Sequence, residues 1–149
     1  MEIFNCPLEY FHVEANVFGE LTSDVGKIAN TVHHFYVQGT YLSGQLPREF
    51  GLFKNLVSPL GLLNNRFSGF LPKEFSSIKR GVFLNKNNIS TIEWEFFDVP
   101  RSEAWEVVMW DNQLKGEIPE RVFETEYWKA FSHSFTSQQE GYGFSNFRF

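Results

Sequence analysis

A short pattern of apolar and polar residues recurs five times along the chain. We take as reference positions Asn16, Thr40, Asn65, Asn87 and Asn112. The residues three and five places before each of them are apolar, and such a pair predicts a short β-strand with one buried face, because strand side chains alternate between faces. The predicted inward pairs are Phe11 and Val13, Phe35 and Val37, Leu60 and Leu62, Val82 and Leu84, and Val107 and Met109.

Further apolar residues follow each reference position at corresponding places. They are Phe18, Leu42, Phe67, Ile89 and Leu114, and then Leu21, Leu46, Leu71, Ile92 and Ile118. Successive reference positions are 24, 25, 22 and 25 residues apart. A near-constant spacing of this kind is typical of a repeat protein, in which every unit points the same set of side chains at a shared interior. The sequence therefore predicts a solenoid.

Turn residues also stand at corresponding places, where glycine permits a tight bend and proline fixes the backbone as it leaves a strand. They are Gly44, Gly69 and Gly116, and Pro47, Pro72 and Pro119. The segments TYLSGQLP, NRFSGFLP and NQLKGEIP resemble the plant-type leucine-rich repeat, whose unit ends in Asn-x-Leu-x-Gly-x-Ile-Pro. Thr40 stands in place of one asparagine. The unit at Asn87, NNISTIEW, lacks the glycine and the proline and resembles a degenerate copy.

This resemblance implies an α/β solenoid, a leucine-rich-repeat horseshoe of about five to six repeats. Its concave side would be a parallel β-sheet, and its convex side would carry loops and 3-10 turns. We expect residues 1–149 to form a single domain, with repeats over about residues 10–123 and a degenerate last repeat or C-terminal cap over 124–149. The alternative interpretation is a mixed α/β domain in which the glycine and proline segments are unrelated turns.

Composition excludes several classes of partner and site. The net charge of −5 and the pI of 5.4 disfavour nucleic acid and anionic membranes, since no Lys/Arg-rich run offsets them. Cys6 is the single cysteine, which excludes an internal disulfide and a cysteine-based zinc site. The start of the chain lacks a signal-peptide pattern, and no stretch approaches the ~18 apolar residues of a membrane span. The sequence leaves the localisation open. The chain would be extracellular or at the cell surface if it resembles its family and is a fragment, and cytoplasmic otherwise.

Residues that alternate with the inward pairs are expected to line the concave sheet. Repeat proteins bind partners on such surfaces, and exposed aromatic side chains commonly anchor interfaces. The candidate ligand-binding residues are Tyr10, His12, Glu14, His34, Tyr36, Phe83 and Trp110. The alternative is that they are ordinary surface residues or lie beneath the aromatic tail that follows residue 124.

Groups suited to catalysis or metal binding are few. His12, His34 and Glu14 are of the residue types that bind zinc or iron, but the predicted positions of the two histidines are diagonal. Acid–base catalysis requires two carboxylates that face each other across a cleft. Nothing in the sequence predicts such an arrangement for the two closely spaced pairs, Glu93 with Glu95 and Glu124 with Glu126. We therefore expect no enzymatic activity, no cofactor and no metal. Asn88 begins a glycosylation sequon on a predicted exposed turn.

These observations favour a non-enzymatic module that recognises a protein or peptide through its concave face. The resemblance points to receptor-like proteins, receptor-kinase ectodomains and polygalacturonase-inhibiting proteins, which act in signalling and defence, although a fold does not transfer a ligand. The alternative is a structural scaffold or assembly subunit, or a fragment of a longer array, that packs against a neighbouring subunit or further repeats.

Overall fold

The computed structural model of the chain describes residues 2–99, 106–125 and 147–148. Its strands, in chain order, are β1 (Tyr10–Val13), β2 (Phe18–Glu20), β3 (His34–Val37), β4 (Tyr41–Gln45), β5 (Leu60–Gly61), β6 (Arg66–Leu71), β7 (Val82–Phe83), β8 (Asn88–Ile92), β9 (Val107–Val108), β10 (Gly116–Glu117) and β11 (Phe147–Arg148). Five of them form a parallel sheet in the order β1-β3-β5-β7-β9. Equivalent positions of successive repeats pair, as Tyr10 does with His34 and Leu60 with Val82. This is the predicted concave sheet, with one strand from each coil.

A second parallel sheet, which we did not expect from the sequence, follows the order β2-β4-β6-β8. Here the pairing is offset by two residues, so that Ser43 lies opposite Arg66 and Ser68 lies opposite Asn88, until the register of β6 with β8 shifts between Gly69 and Phe70. The hydroxyls of the two serines donate hydrogen bonds to backbone carbonyls of the preceding coil, and Ser90 does the same. Each coil of the solenoid therefore carries two short strands on adjacent sides.

The convex side consists mainly of short 3-10 helices, as predicted. They are Ser23–Ile28, Arg48–Leu52, Lys73–Ser77 and Trp94–Phe97, and a further one, Glu2–Asn5, precedes β1. Pro47 and Pro72 come directly before two of them, where the fixed φ of proline suits a helix start. Pro119 precedes the single short α-helix of the described residues, Glu120–Phe123.

The core lies between the two sheets and the 3-10 helices. Nine of the ten predicted inward strand residues are buried, and the tenth, Val13, packs partly buried against them. Phenyl rings fill the convex half: the ring of Phe50 lies 5.2 Å from that of Phe35 and 5.7 Å from that of Phe75, both edge to face. Because each fully buried phenylalanine stabilises a fold by about 1.5–3 kcal/mol, packing alone can hold this disulfide-free chain together.

Three asparagines at the reference positions, Asn65, Asn87 and Asn112, form a largely buried ladder along the solenoid, whereas Asn16 is exposed. The Nδ2 of Asn87 donates to the carbonyls of Leu62 (2.9 Å) and Leu84 (3.0 Å), and its Oδ1 accepts from the backbone N–H of Phe67 (3.0 Å). The amide of Asn112 repeats the arrangement one coil later. Each side chain satisfies backbone groups that the corner between two strands leaves unpaired.

Thr40 joins this ladder in a different way. Its hydroxyl accepts a hydrogen bond from the N–H of Leu42 (3.2 Å) and donates one to the Oδ1 of Asn65. In the next coil, the corresponding N–H reaches the asparagine oxygen directly. The threonine hydroxyl therefore relays a contact that the other coils make in one step, which explains why threonine is compatible with this position.

The prediction that Phe18 points into the core is wrong. Phe18 is 69% exposed and stacks on Tyr41, with ring centroids 4.7 Å apart. In the second sheet, Gly19 takes the place that Gly44 and Gly69 hold in later coils, so the first corner is one residue shorter than the others. A slip of one residue moves a strand side chain to the opposite face, and Val17 packs against the core instead.

The aromatic tail, and with it the predicted degenerate repeat or cap over 124–149, lies almost entirely outside the described residues. Within that tail, β11 pairs in parallel with β10. No helix among the described residues has the length and apolar character needed to cross a membrane.

Candidate functional site

Four rings lie together on the concave sheet, and we call Tyr10, His12, His34 and Tyr36 the ring cluster. Strands β1 and β3 position them, because Tyr10 pairs with His34 and His12 pairs with Tyr36. The ring centroids are 5.1 Å apart in the first pair and 5.8 Å apart in the second. The histidines are thus diagonal, as predicted, and Tyr10 leaves 57% of its surface to solvent.

A glycine beneath Tyr36 determines how this ring lies. Gly61 is opposite Tyr36 in the neighbouring strand and is buried. A Cβ atom added to Gly61 would lie 2.4 Å from the Cδ1 of Tyr36, well inside van der Waals contact. The tyrosine ring therefore lies down across β5 and covers its backbone.

Polar contacts orient the two histidines. The Nε2 of His12 lies 3.0 Å from the Oε1 of Glu14, whose side chain is half exposed. The Nδ1 of His34 lies 3.1 Å from the hydroxyl of Ser58. The sequence analysis did not identify Ser58, because a contact between side chains of neighbouring coils is not encoded in the periodicity. Both imidazoles are thus held by neighbouring side chains rather than left free.

The other two aromatic candidates lie farther along the concave sheet. Phe83 pairs with Gly61 on one side and with Val108 on the other. Trp110 follows β9, and the ammonium group of Lys86 lies 5.3 Å from the centroid of its ring. The structure therefore separates the predicted residues into the ring cluster and a second group at Trp110, with Gly61 of β5, covered by Tyr36, between them. Lys86 was not among the predicted residues.

A depression of about 350 Å³ opens at the carboxyl ends of β1, β3 and β5. Its lining consists of Glu14, Gln38, Gly39, Leu63 and Asn64. Glu14 connects it to the ring cluster through His12. Because a carboxylate and two side-chain amides converge there, the depression offers hydrogen-bond acceptors beside an aromatic surface.

The groups that were considered for catalysis or metal binding are placed as follows. Among the described residues, no three His, Cys, Asp or Glu side chains are arranged to hold a metal ion. Glu93 accepts hydrogen bonds from the guanidinium of Arg48 and from the backbone N–H of Lys73, and the Arg48 contact is the larger cause that holds the pKa of Glu93 below its usual range. Arg48 also binds Glu74. Glu126 lies outside the described residues.

The glycosylation sequon lies in a strand, and the prediction of an exposed turn is wrong. Asn88 opens β8, with its side chain exposed. The third sequon residue, Ser90, donates its hydroxyl to the carbonyl of Gly69 at 3.0 Å. The strand forms because the residues after Asn87 alternate inward and outward as they do in the other coils.

A scan against protein-family models and a search of curated proteins return no match. Solved structures superpose on most of the chain. A plant ice-binding protein is 23% identical with a TM-score of 0.68, over 82% of this chain and 40% of that one. The leucine-rich-repeat ectodomain of the Arabidopsis thaliana receptor kinase GASSHO1/SCHENGEN3, in complex with CASPARIAN STRIP INTEGRITY FACTOR 2, is 24% identical with a TM-score of 0.64, over 76% of this chain and 14% of that one.

The ectodomain of the Arabidopsis receptor kinase HAESA, in complex with an N-terminally extended IDA peptide hormone ligand, is 25% identical with a TM-score of 0.57. The match covers 82% of this chain and 24% of that one. The chain thus spans between 14% and 40% of the lengths of these three proteins. These likenesses, together with the strand from each coil in the concave sheet, show that the chain folds as a leucine-rich-repeat solenoid.

Proposed function

We propose that this chain is a non-enzymatic recognition module that binds a peptide, or an extended segment of a protein, on its concave sheet. The observation that carries the proposal is the ring cluster, which places four rings side by side on two paired strands. Aromatic side chains on a firm support bury much ligand surface and lose little conformational entropy, which is why they dominate binding energies at interfaces.

The packing beneath the ring cluster supplies that firm support. Phe11 in β1 and Phe35 in β3 lie on the side of the sheet opposite to the ring cluster. Both are buried, and their rings stack with centroids 4.8 Å apart. Phe4 packs against Phe11 at 5.4 Å from below. A ligand would therefore meet rings whose strands are already ordered, and little ordering cost would be subtracted from the binding energy.

The solved structures give independent support for a binding module. The GASSHO1/SCHENGEN3 and HAESA ectodomains were both solved with a peptide or protein factor bound. Both are ectodomains of receptor kinases. We extend ligand binding, and not a particular ligand, to this chain, and we infer a receptor-like role from the shared fold.

A selection from random peptides displayed on phage tests the proposal. The peptides enriched on the wild-type chain are synthesised, and their affinities are measured for the Tyr36→Ala variant and for Leu52→Ala, a matched control whose side chain is 54% exposed on the convex side. We expect Tyr36→Ala to weaken binding by about tenfold or more and Leu52→Ala to leave it unchanged. Equal affinities for both variants would place the binding surface elsewhere.

A second candidate function, an assembly subunit, is favoured by one surface. Phe18 stacks on Tyr41, and the guanidinium of Arg66 lies 4.6 Å from the centroid of the Tyr41 ring. This row crosses β2, β4 and β6 and leaves Phe18 largely uncovered. Light scattering distinguishes the two functions: an assembly subunit would form oligomers that Phe18→Ala disrupts, whereas a recognition module would remain a monomer in both forms.

A further inference from the structure

The depression beside the ring cluster has a chemical character that identifies the kind of ligand it fits. It lies where β1, β3 and β5 end, so that a ligand crossing the ring cluster toward the carboxyl ends of the strands would reach it. Its volume of about 350 Å³ exceeds that of a single amino-acid side chain. Glu14 is the only ionisable residue of its lining.

The carboxylate of Glu14 is held by His12, whose Nε2 lies 3.0 Å from its Oε1 atom. A carboxylate has two oxygens, so Glu14 can accept a further hydrogen bond through its Oε2. The Lys and Arg side chains that form ion pairs among the described residues contact Asp24, Glu74, Glu93 and Asp98, and none of them contacts Glu14. A cationic group in the depression would therefore gain a charge-assisted hydrogen bond that the free protein lacks.

Two backbone hydrogen bonds hold the amide side of the depression. The N–H of Gln38 donates to the carbonyl of Val13 at 3.0 Å, and the N–H of Asn64 donates to the carbonyl of Asn85 at 2.8 Å. The side-chain oxygens of Gln38 and Asn64 can accept hydrogen bonds, whereas Lys and Arg side chains offer three and five donors and no acceptor. The donor-rich head of a basic side chain thus matches a lining with one carboxylate and two amides.

The neighbouring rings suit the rest of such a side chain. Guanidinium and ammonium groups are attracted to the faces of tyrosine rings, and the stems of Arg and Lys pack on apolar surface. Tyr36 lies in β3, and Gln38 follows the end of that strand two residues later, so the ring of Tyr36 is near the end of β3 where the depression opens. The overall charge of −5 also attracts a basic ligand before contact.

We propose that the depression receives the basic side chain of a peptide ligand, so that the concave face selects peptides carrying an arginine or lysine next to an apolar or aromatic residue. This inference rests on the proposed function, because it specifies the ligand of the same surface. It assigns Glu14 as the residue that determines the charge of the ligand, with His12 as the positioning residue for its carboxylate.

The test runs the phage selection in parallel on the wild-type chain, on Glu14→Gln and on the control Glu117→Gln, an exposed glutamate of β10 outside the concave sheet. We expect arginine or lysine to be enriched in peptides selected on the wild type and on Glu117→Gln, and not in peptides selected on Glu14→Gln. The most enriched peptide is then compared with its citrulline analogue, which keeps the shape of arginine without the charge.

Each change alone, citrulline in the peptide or glutamine at residue 14, should weaken binding by about tenfold, and both together by little more than one alone. Selected peptides that require Tyr36 but lack basic residues, or that bind wild type and Glu14→Gln equally, would overturn this inference and leave the proposed function standing. Peptides that bind independently of Tyr36 would overturn the proposed function itself. Thermal unfolding confirms that Glu14→Gln is folded.

Discussion

Replacing Asn87 by alanine should test the buried asparagine ladder most directly. The side chain of Asn87 is 5% exposed and makes hydrogen bonds to Phe67, Leu62 and Leu84. The two carbonyls each keep another partner after the substitution, because Leu62 also accepts from Asn65 and Leu84 also accepts from Asn112. The N–H of Phe67, which donates to the Oδ1 of Asn87, would lose that acceptor in a buried position.

The expected cost follows from these three bonds. An unpaired buried N–H costs about 1–3 kcal/mol, and each of the two bonds to a carbonyl that retains a partner contributes about 0.5–1.5 kcal/mol. The free energy of unfolding should therefore fall by about 4 kcal/mol, within a range of about 2–6 kcal/mol. This is a large part of the ~5–15 kcal/mol that stabilises a typical domain.

Urea unfolding followed by circular dichroism measures the loss, and the midpoint should fall by more than about 1 M if the slope is unchanged. Asn88→Ala is the matched control, since this neighbouring side chain is exposed. A loss below about 1 kcal/mol for Asn87→Ala, or one equal to that of the control, would refute the proposed role of the ladder.

Asn87→Asp adds a test of hydrogen-bond direction. Aspartate keeps the oxygen that accepts from Phe67 but places a second oxygen against the carbonyls of Leu62 and Leu84. Burial and these oxygens favour the protonated acid, so the folded-state pKa of the aspartate should rise above its ordinary value. The variant should then be most stable at low pH and lose stability as the pH rises through that raised pKa. A loss that does not depend on pH would contradict this account.

Leu42→Ala should lower the free energy of unfolding in urea by about 2–5 kcal/mol, because Leu42 is 2% exposed, and Phe18→Ala should lower it by about 1 kcal/mol or less, because Phe18 is 69% exposed. Equal losses would contradict the shorter first corner. Hydrogen bonds from Arg48 lower the pKa of Glu93 below 4.5, so their stabilisation is present above that pH and is lost as the pH falls through the folded-state pKa. Glu93→Gln should therefore lose less stability on acidification than the wild type, and parallel pH profiles would argue against the contact. Gly61→Ala should displace the ring of Tyr36 and weaken peptide binding, measured by fluorescence anisotropy, by about fivefold or more. The circular dichroism spectrum should stay unchanged, and an undiminished affinity would show that the position of this ring does not matter for binding.

The sequence predicts the concave sheet well because two constraints act on the same residues. Pairs such as Val82 and Leu84 must alternate within a strand, and they must also recur at the repeat spacing. Chance rarely satisfies both conditions five times. The same register predicts that Tyr10, His12 and Tyr36 share a face, and the structure confirms this placement.

The pattern does not show features that arise from the insertion or loss of a single residue. The sequence analysis aligned Phe18 with Leu42 by counting from Asn16, and only the pairing of Gly19 shows that the first corner is shorter. The second sheet was missed because its strands follow turn residues, which usually indicate loops. The relay through Thr40 and the contact of Ser58 with His34 depend on side-chain conformation, which periodicity does not encode.

The offset of the second sheet has a geometric consequence for any solenoid built this way. Up to Gly69, its strands are offset by two residues between neighbouring coils, about 6–7 Å along the strand, whereas the concave strands pair without offset. Equivalent residues therefore stay level from coil to coil on the concave side, whereas they are staggered on the side of the second sheet. An extended peptide that crosses the concave strands would thus meet equivalent positions of neighbouring coils side by side.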